Sequence, residues 1–490
     1  MSDLHLQLIG IAPELFIVLS SLVLLVAGVI RGNSSAVAVN ALSVFVLVGA
    51  LYFTAMGLPI KQVMFEGMLL KNDFTQFVKG MILVSAIMCL ILTHDWLSDE
   101  ENQRFEFPIL VLLSVAGMLL LVSAHDLIAI YMAIELMSLA LYVLAAFNRD
   151  SLRSTEAGLK YFVLGSLASG LMLFGMSLVY GFMGTTNFLQ LKFEFAHMFA
   201  EGNGAIYSAG AIIGVVLMIV GFAFKVSAVP FHMWTPDVYD GAPTPVTMLF
   251  AVAPKIAGLV IFLRVLLEPF GSIFAQWQPI LIMISAASML VGAFGALWQT
   301  SIKRLLAYSS IGHVGYVLIG LAVNSQAGIQ AMLIYLCLYL VTSIGMFGCI
   351  LMTKRNGQSV ERIEDLAGLA QSNPKMAFLI ATFIFSMAGI PPLAGFFGKF
   401  YIFLAALQSG LYVLAVIGVL SSVIACFYYL KIVKTMYFDK PAGSFDTRVV
   451  SSSVCVVYSC AVFALLFFVH PSTLVEPARK VVETMFMQLG

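Results

Sequence analysis

The stretch KVSAVPFHMWTPDVYDGAPTPV, residues 225–246, closes an apolar run that is long enough to cross a membrane. It contains one lysine, one histidine, two aspartates and four prolines. Pro230 removes a backbone N–H and leaves a carbonyl without its helical partner, so the helix must kink or unwind there. Backbone freed in this way is tolerated at membrane depth only inside protein or beside a watered cavity. The stretch therefore predicts a broken membrane helix with Lys225 next to the break.

The composition of the whole chain places it in the membrane. Of its 490 residues, 61% are hydrophobic and only 10% are charged, against roughly a quarter charged in soluble domains. So much apolar surface cannot be buried in the core of a water-soluble protein of this length, which indicates an all-α polytopic membrane protein. The formal charge is zero, from 25 basic and 25 acidic residues, and no basic tract indicates nucleic-acid binding.

Cofactor motifs are absent from the sequence. Neither a GxGxxG nor a Walker-type loop occurs, so we predict no nucleotide or flavin site in this chain. The cysteines lie in apolar runs and form no CxxC pair, which favours buried thiols over disulfides, zinc or iron–sulfur ligands. They are Cys89, Cys337, Cys349, Cys426, Cys455 and Cys460.

A membrane helix needs about 20 predominantly apolar residues, and the sequence contains fourteen such segments. The predicted spans are 8–30, 36–58, 75–94, 107–123, 127–147, 158–183, 206–230, 245–268, 276–298, 303–323, 327–353, 376–408 with a break after 390, 411–437 and 449–469. The loops between them are short. Residues 1–490 are therefore expected to form a single transmembrane domain.

Broken helices 7 and 12 lie five helices apart, a pattern typical of transporters built from repeats. ALYVLAA at 140–146 is similar to GYVLIGLA at 315–322, and FAFK ending at Lys225 is similar to FFGK ending at Lys399. We predict helices 1–3 at 8–94, a first repeat of helices 4–8 at 107–268, a second repeat of helices 9–13 at 276–437, and helix 14 at 449–469. An odd number of helices makes the repeats inverted. The offset is 170–174 residues by these matches, or about 162 if the prolines are aligned.

The distribution of lysine and arginine orients the bundle, because cytoplasmic loops carry an excess of both. With the N-terminus outside, the loops on the cytoplasmic side hold Arg31, Arg104, Arg149, Arg153, Lys303, Arg304, Lys354, Arg355, Arg362, Lys375, Lys434, Lys440 and Arg448. The other side holds Lys61, Lys71, Lys192, Arg264, Arg479 and Lys480. The larger basic set predicts both termini on the outer side.

Four charged residues lie where lipid is expected, each at a cost of roughly 2.5–3.5 kcal/mol on insertion scales. They are Glu135, Lys225, Lys255 and Lys399. Each lysine is near a predicted helix break, at Pro230, at Pro254, or at Pro391 and Pro392. A row of such groups predicts a proton path across the membrane, in which Glu135 holds Lys225 charged and separating the pair releases the proton.

Other polar residues admit two interpretations. Lys160 either joins the path or marks the cytoplasmic boundary of helix 6, while His232 and His313 either relay protons or pack with one hydrogen bond. Lys79 and Lys431 lie near helix ends, so their side chains are expected to reach the surface. Asp237 and Asp240 are interpreted as loop and cap residues.

Two motifs, KVSAVPFHMWTPDVYDGAPTPVTMLFAVAPKIAGL at 225–259 and GIPPLAGFFGKFYIF at 389–403, resemble the proton-translocating subunits of respiratory complex I and the related Mrp-type sodium/proton antiporters. The resemblance covers about residues 8–470. It implies a helix 5 glutamate paired with a helix 7 lysine, matched by Glu135 and Lys225, and further lysines matched by Lys255 and Lys399. The resemblance also favours a role in the proton path for Lys160 and His232.

The resemblance further implies that NADH, FMN, iron–sulfur clusters and quinone belong to partner subunits. It implies a bacterial inner membrane location with both termini periplasmic, and the antiporter-like subunit M and the small subunit K as neighbours. The alternative is a subunit of an Mrp-type antiporter. An inert scaffold is disfavoured because it gains nothing from buried charges, and a solute permease because convergent substrate-binding groups are missing.

Overall fold

The computed structural model describes residues 2–56, 61–99, 102–200, 205–355, 358–441, 445–446 and 451–489. The helices are α1 Ser2–Gly10, α2 Ala12–Arg31, α3 Ala36–Ala55, α4 Asp73–Ser98, α5 Glu106–Ser123, α6 Leu127–Ala145, α7 Leu152–Met183, α8 Phe188–Ala200, α9 Ala205–Lys225, α10 Thr235–Gly241, α11 Thr244–Leu267, α12 Phe274–Leu297, α13 Ile302–Val323, α14 Gln326–Met352, α15 Leu369–Ser372, α16 Pro374–Ala388, α17 Ala394–Gln408, α18 Tyr412–Phe438, α19 Ser451–Leu466 and α20 Ser472–Leu489. Two antiparallel hairpins are β1 Gln62–Met64 with β2 Leu69–Lys71, and β3 Lys354–Arg355 with β4 Gln358–Ser359.

Within the described residues, twelve helical segments are long and apolar enough to cross a membrane. The all-helical membrane class is therefore confirmed. The sequence predicts fourteen spans, and the difference lies in the interrupted helices. The apolar part of α9, Ala209–Lys225, and the helices α16 and α17 are each shorter than a full crossing.

The first interruption follows Lys225, where α9 ends, and the chain continues without regular helix to Trp234. Ser227 has a φ of 66°, and the Val229–Pro230 peptide bond is cis. The freed backbone groups find partners inside the protein, as membrane depth demands. The Trp234 indole donates to the Phe224 carbonyl at 3.1 Å, and the Val229 N–H donates to a serine hydroxyl of α12 at 2.9 Å.

The second interruption separates α16 from α17. Gly389 has a φ of 86°, a left-handed conformation that ends α16 without a Cβ penalty. The Gly395 N–H donates to the Ser386 hydroxyl at 3.0 Å, and the last carbonyl of α16, that of Ala388, accepts from the Lys399 amine at 2.8 Å. A buried lysine thus satisfies a carbonyl that the break exposes.

Pro254 does not break its helix, contrary to the sequence expectation. It lies inside α11, which continues from Thr244 to Leu267. A proline deprives one carbonyl of its helical donor and kinks the helix, but neighbouring helices can hold the remainder in place. The central stretch of α11 is buried throughout, with α4, α5, α13 and α14 packed around it.

The two ends of the bundle are distinct. One end carries the β1–β2 hairpin, and we call it the hairpin end. There the His125 N–H donates to the Met68 carbonyl beside β2, and the Phe188 N–H donates to the His125 carbonyl. At the other, which we call the mouth end, the Ile302 N–H donates to the Glu361 carbonyl at 2.9 Å. Helices α8 and α20 are not predicted from the sequence, because both are too polar to resemble membrane spans.

Arg264 holds the hairpin end together. Its guanidinium donates to the carbonyls of Val122 and Ala124 at 2.7 and 2.8 Å, and to both carboxylate oxygens of Glu268 at 2.8 and 2.9 Å. His125 Nδ1 lies 3.1 Å from the same carboxylate. Burial raises the pKa of Glu268, but Arg264 and His125 outweigh burial and lower it to about 2. The Glu268 carboxylate therefore stays ionised at neutral pH.

Lys79 forms a fully buried ion pair, which corrects the expectation that it reaches the surface. Its amine lies 2.5 Å from a Glu14 carboxylate oxygen, and the two side chains are 0% and 3% exposed. The pair joins α2 to α4. Glu14 gives no distinct signal in the sequence, because it stands near the start of the first apolar run, where a charge usually marks only the membrane boundary.

Replacing Glu14 alone should destabilise the chain. In Glu14→Gln the Lys79 amine stays buried without its counter-charge, which costs about 3–5 kcal/mol. We expect a clearly lowered thermal unfolding temperature in detergent. The double variant Glu14→Leu with Lys79→Met, which removes both charges, should recover most of the loss. An unfolding temperature unchanged by Glu14→Gln would contradict this assignment.

Candidate functional site

Lys255 lies at the centre of the bundle and is 2% exposed. Its amine donates to the Ser310 hydroxyl of α13 at 2.5 Å, and that hydroxyl lies 2.7 Å from the Tyr339 hydroxyl of α14. The ring of Tyr239 from α10 faces the amine at 5.4 Å. The lysine is therefore solvated by hydroxyl groups rather than by a carboxylate.

His313 lies one helical turn further along α13 and bonds to two tyrosines. Nδ1 is 2.6 Å from the Tyr335 hydroxyl, and Nε2 is 3.3 Å from the Tyr429 hydroxyl. Tyr429 in turn bonds to the Ser309 hydroxyl. Because each ring nitrogen faces a hydroxyl that can donate or accept, the imidazole can take a proton on one side and release one on the other.

Lys399 occupies the second helix break. Besides the Ala388 carbonyl, its amine donates to the Ser422 hydroxyl of α18 at 2.7 Å, and the Tyr316 ring lies 5.1 Å away. A cavity of about 10 Å³ is lined by both Lys399 and His313. A second cavity of about 10 Å³ lies on the Tyr335 side of the imidazole. Each has room for about one water molecule.

Lys225 occupies the first break and is 7% exposed. Its amine donates to the hydroxyls of Ser138 and Tyr142 on α6, at 2.9 and 3.2 Å. Glu135 stands three residues before Ser138 on the same helix, and so on the same face one turn away. Among the described ion pairs there is none between Glu135 and Lys225, so the lysine contacts the hydroxyls next to the glutamate instead of the carboxylate.

Glu135 is half-buried near the middle of α6. Its Oε1 atom is enclosed and has no hydrogen-bond partner within the described part of the chain. A carboxylate at this depth is costly unless it is neutral or paired.

Lys160 and His232 lie apart from this row. Lys160 is at the mouth end, with its amine 2.7 Å from Glu156 and 2.9 Å from Asp237, and its side chain is 41% exposed. His232 is half-buried in the first break, and its Nδ1 has no partner among the described atoms. The structure therefore brings Lys255, His313 and Lys399 together, places Lys225 beside Glu135, and leaves the other two outside.

Between Lys225 and Lys255 the connection is aromatic. Tyr142 meets Tyr161 at 4.7 Å between ring centroids, Tyr161 stacks on Trp234 at 4.4 Å, and Trp234 contacts Tyr239 at 6.3 Å. Tyr239 then faces Lys255. The link between the two lysines in this region is thus made of buried, touching rings.

The hydroxyl-bearing residues of the site are not predicted from the sequence, because they carry no charge. They are Ser138, Tyr142, Ser309, Ser310, Tyr335, Tyr339, Ser422 and Tyr429. Serine and tyrosine are common in membrane helices, so the only available signal is their placement one or two turns from a buried charge. Over the described ranges, no group of three His, Cys, Asp or Glu side chains could hold a metal ion. The arrangement of amines, an imidazole and hydroxyls is suited to passing protons.

Removing the hydroxyl that binds Lys255 should slow proton transfer while preserving the fold. In Ser310→Ala the amine and Tyr339 lose their shared partner, and we expect proton movement to fall by on the order of 10²-fold, as for a lost acid–base group. The readout is dye-detected pumping by the assembled complex in liposomes. Ser21→Ala, which removes a hydroxyl bonded only within α2, should pump normally. Equal rates for the two variants would contradict the role of Ser310.

Comparison with known proteins gives a consistent picture. A family model described as NADH:quinone oxidoreductase/Mrp antiporter, TM matches residues 124–425. NADH-quinone oxidoreductase subunit N of Rhodospirillum rubrum is 52% identical over 475 residues, covering 96% of each chain. Subunit N of Paramagnetospirillum magneticum is 49% identical over 487 residues, covering 99% of each.

Solved structures show the same fold. A chain of respiratory complex I from Thermus thermophilus is 28% identical with a TM-score of 0.79, covering 95% of this chain and 98% of that one. A chain of the Mrp complex from Dietzia sp. is 21% identical with a TM-score of 0.82, covering 98% and 99%. The second likeness concerns the fold alone. On near-full-length identity of about half, the chain belongs to the NADH:quinone oxidoreductase/Mrp antiporter membrane family and, within it, to the subunit N relatives.

Proposed function

We propose that this chain is a proton-translocating membrane subunit of an NADH–quinone oxidoreductase, and that protons move along Glu135, Lys225, Lys255, His313 and Lys399. The observation that carries the path is the group formed by Lys255 and His313. Both are buried, and each is bonded to hydroxyls that can donate or accept a proton. Electron transfer from NADH to quinone, with FMN and iron–sulfur clusters, belongs to partner subunits.

The path would work by changing the partner of each amine. A protonated Lys225 is stabilised when the Glu135 carboxylate approaches, and it loses its proton more readily when only Ser138 and Tyr142 solvate it. In this structure Glu135 lies one helical turn along α6 from Ser138, the residue to which the Lys225 amine donates a hydrogen bond. Movement at the first break, where backbone is already irregular, can bring them together or apart. Lys160 and His232 lie beside this path as uptake-side groups.

The fourteen-span, inverted-repeat architecture is part of the proposal. The broken α9 and the pair α16–α17 supply the two spans beyond the twelve complete ones. The register is supported by two equivalent contacts, since Lys225 faces Tyr142 and Lys399 faces Tyr316. Both partners differ by 174 positions, which favours that offset over about 162. The units are then 107–268 and 276–437, preceded by 8–94 and followed by 449–469.

The location follows from the charge distribution. We place the chain in the bacterial inner membrane with the mouth end facing the cytoplasm and both termini facing the periplasm. Basic loop residues at the mouth end include Arg153, Lys303 and Arg304, in accord with the excess of basic residues on the cytoplasmic side of membranes. Its expected neighbours are subunits M and K of the same assembly. Relatives named as subunit N favour this assembly over an Mrp antiporter.

Neutral replacement of a path lysine tests the function. In an assembled complex in liposomes, Lys225→Met and Lys399→Met should each lower NADH-driven proton pumping by on the order of 10²-fold, because an acid–base group is lost. Lys431→Met serves as the matched control, since that lysine is exposed on α18. Wild-type pumping by both path variants would overturn the proposal. Pumping that needs sodium and no NADH would favour the antiporter.

A further inference from the structure

The short helix α10 has one charged and one aromatic side. On the charged side, Asp237 lies 2.9 Å from both Lys160 of α7 and Arg304 of α13. Asp240 lies 3.0 Å from Arg153 and accepts a 2.6 Å hydrogen bond from the Ser301 hydroxyl. The helix is therefore tied by ion pairs to elements from both halves of the chain.

These ion pairs surround a water-accessible cavity of about 200 Å³ at the mouth end. Its charged lining consists of Arg153, Glu156, Lys160, Asp237, Asp240 and Arg304. The side chains of Asp237 and Lys160 are 33% and 41% exposed, so the pairs exchange with solvent and are individually weak. The cavity has room for a cluster of water molecules.

The aromatic side closes this cavity off from the buried lysines. Trp234, at the start of α10, stacks on Tyr161 at 4.4 Å with an interplanar angle of 12°. Tyr161 contacts Tyr142, whose hydroxyl bonds to Lys225. Trp234, Tyr161 and Tyr142 are 3%, 5% and 5% exposed. A series of buried, touching rings thus leads from the start of α10 to the hydroxyl that binds Lys225.

The attachment of α10 permits it to move. It is joined to α9 by the irregular segment 226–234, in which the Trp234 indole spans the break to bind the Phe224 carbonyl. At its other end it meets α11 at Pro243. Exchange of the ion pairs at Asp237 and Asp240 can therefore shift the helix, and with it the indole, without disturbing a long helix.

Building on the proposed function, we propose that α10 is the proton-uptake gate of the chain. Water in the mouth cavity supplies the proton, the ion pairs of Asp237 and Asp240 hold α10 in place, and the Trp234–Tyr161 stack separates that water from Lys225. When α10 shifts and the rings part, water enters and a proton passes to the amine. This role replaces the interpretation of Asp237 and Asp240 as simple loop and cap residues.

Opening the gate should create a leak that needs no redox reaction. The assembled complex carrying Trp234→Ala is placed in liposomes, and passive proton flux is followed with a pH dye under a potassium diffusion potential, without NADH. We expect at least about a tenfold rise in flux, because proton transfer through water replaces a sealed contact. Trp234→Phe, which keeps a ring but loses the bond to Phe224, should leak less and guards against misfolding of the larger change.

Trp277→Ala is the matched control. Trp277 is equally buried, and its indole also donates to a backbone carbonyl, that of Phe270, but at the hairpin end. It should cost similar stability and cause no leak. The double variant Trp234→Ala with Lys225→Met should be tight again, because the leak passes through Lys225. Tight vesicles with both Trp234 variants, an equal leak with Trp277→Ala, or a leak that persists in the double variant would each overturn the gate.

This experiment is separable from the test of the proposed function. Passive flux is measured without NADH, whereas the loss of pumping in Lys225→Met and Lys399→Met is measured with it. A complex whose path variants stop pumping, but whose Trp234 variants stay tight, would lose the gate and keep the function. A leak in the Trp234 variants, together with unchanged pumping in Lys225→Met and Lys399→Met, would support the gate and overturn the proposed function.

Discussion

An amine held at membrane depth must find its acceptors inside the protein, and this requirement organises the molecule. Neither lipid nor a watered surface can stabilise the ammonium of Lys225, Lys255 or Lys399, so each is surrounded by hydroxyls, a carbonyl or an aromatic face. The broken helices follow from the same need. A break supplies unpaired carbonyls such as that of Ala388, and a lysine supplies the donor that such a carbonyl lacks.

Hydroxyl groups make these sites suitable for exchange rather than for permanent binding. A carboxylate in direct contact would hold an ammonium firmly in a medium of low dielectric constant, as Glu14 holds Lys79. A serine or tyrosine is a weaker acceptor that can also donate. The ion-paired Lys79 and the hydroxyl-bonded Lys225, Lys255 and Lys399 thus occupy two different environments, one fixed by a direct ion pair and one suited to exchange of partners.

The sequence predicts the membrane class, both interruptions and every charged member of the row, because charge and proline are conspicuous in an apolar background. It does not predict the direct partners, since Ser310 or Tyr335 resembles any other polar residue of a membrane helix. Pro254 was misread as a break because the effect of a proline depends on what surrounds the helix. Lys79 was misread because its partner lies on another helix. Such facts depend on which faces meet, and one sequence does not show that.

Arg264 has a consequence for how the centre of the bundle can move. Its guanidinium fastens α11 to the carboxyl end of α5 through two carbonyls, while Glu268 and His125 complete the fastening. The helix that carries Lys255, α11, is therefore held by these bonds at its C-terminal end and is buried along its length. Sliding of α11 would break these hydrogen bonds. We therefore expect a change of partner at Lys255 to come from rotation of small groups such as the Ser310 hydroxyl, or from displacement of the shorter elements around it.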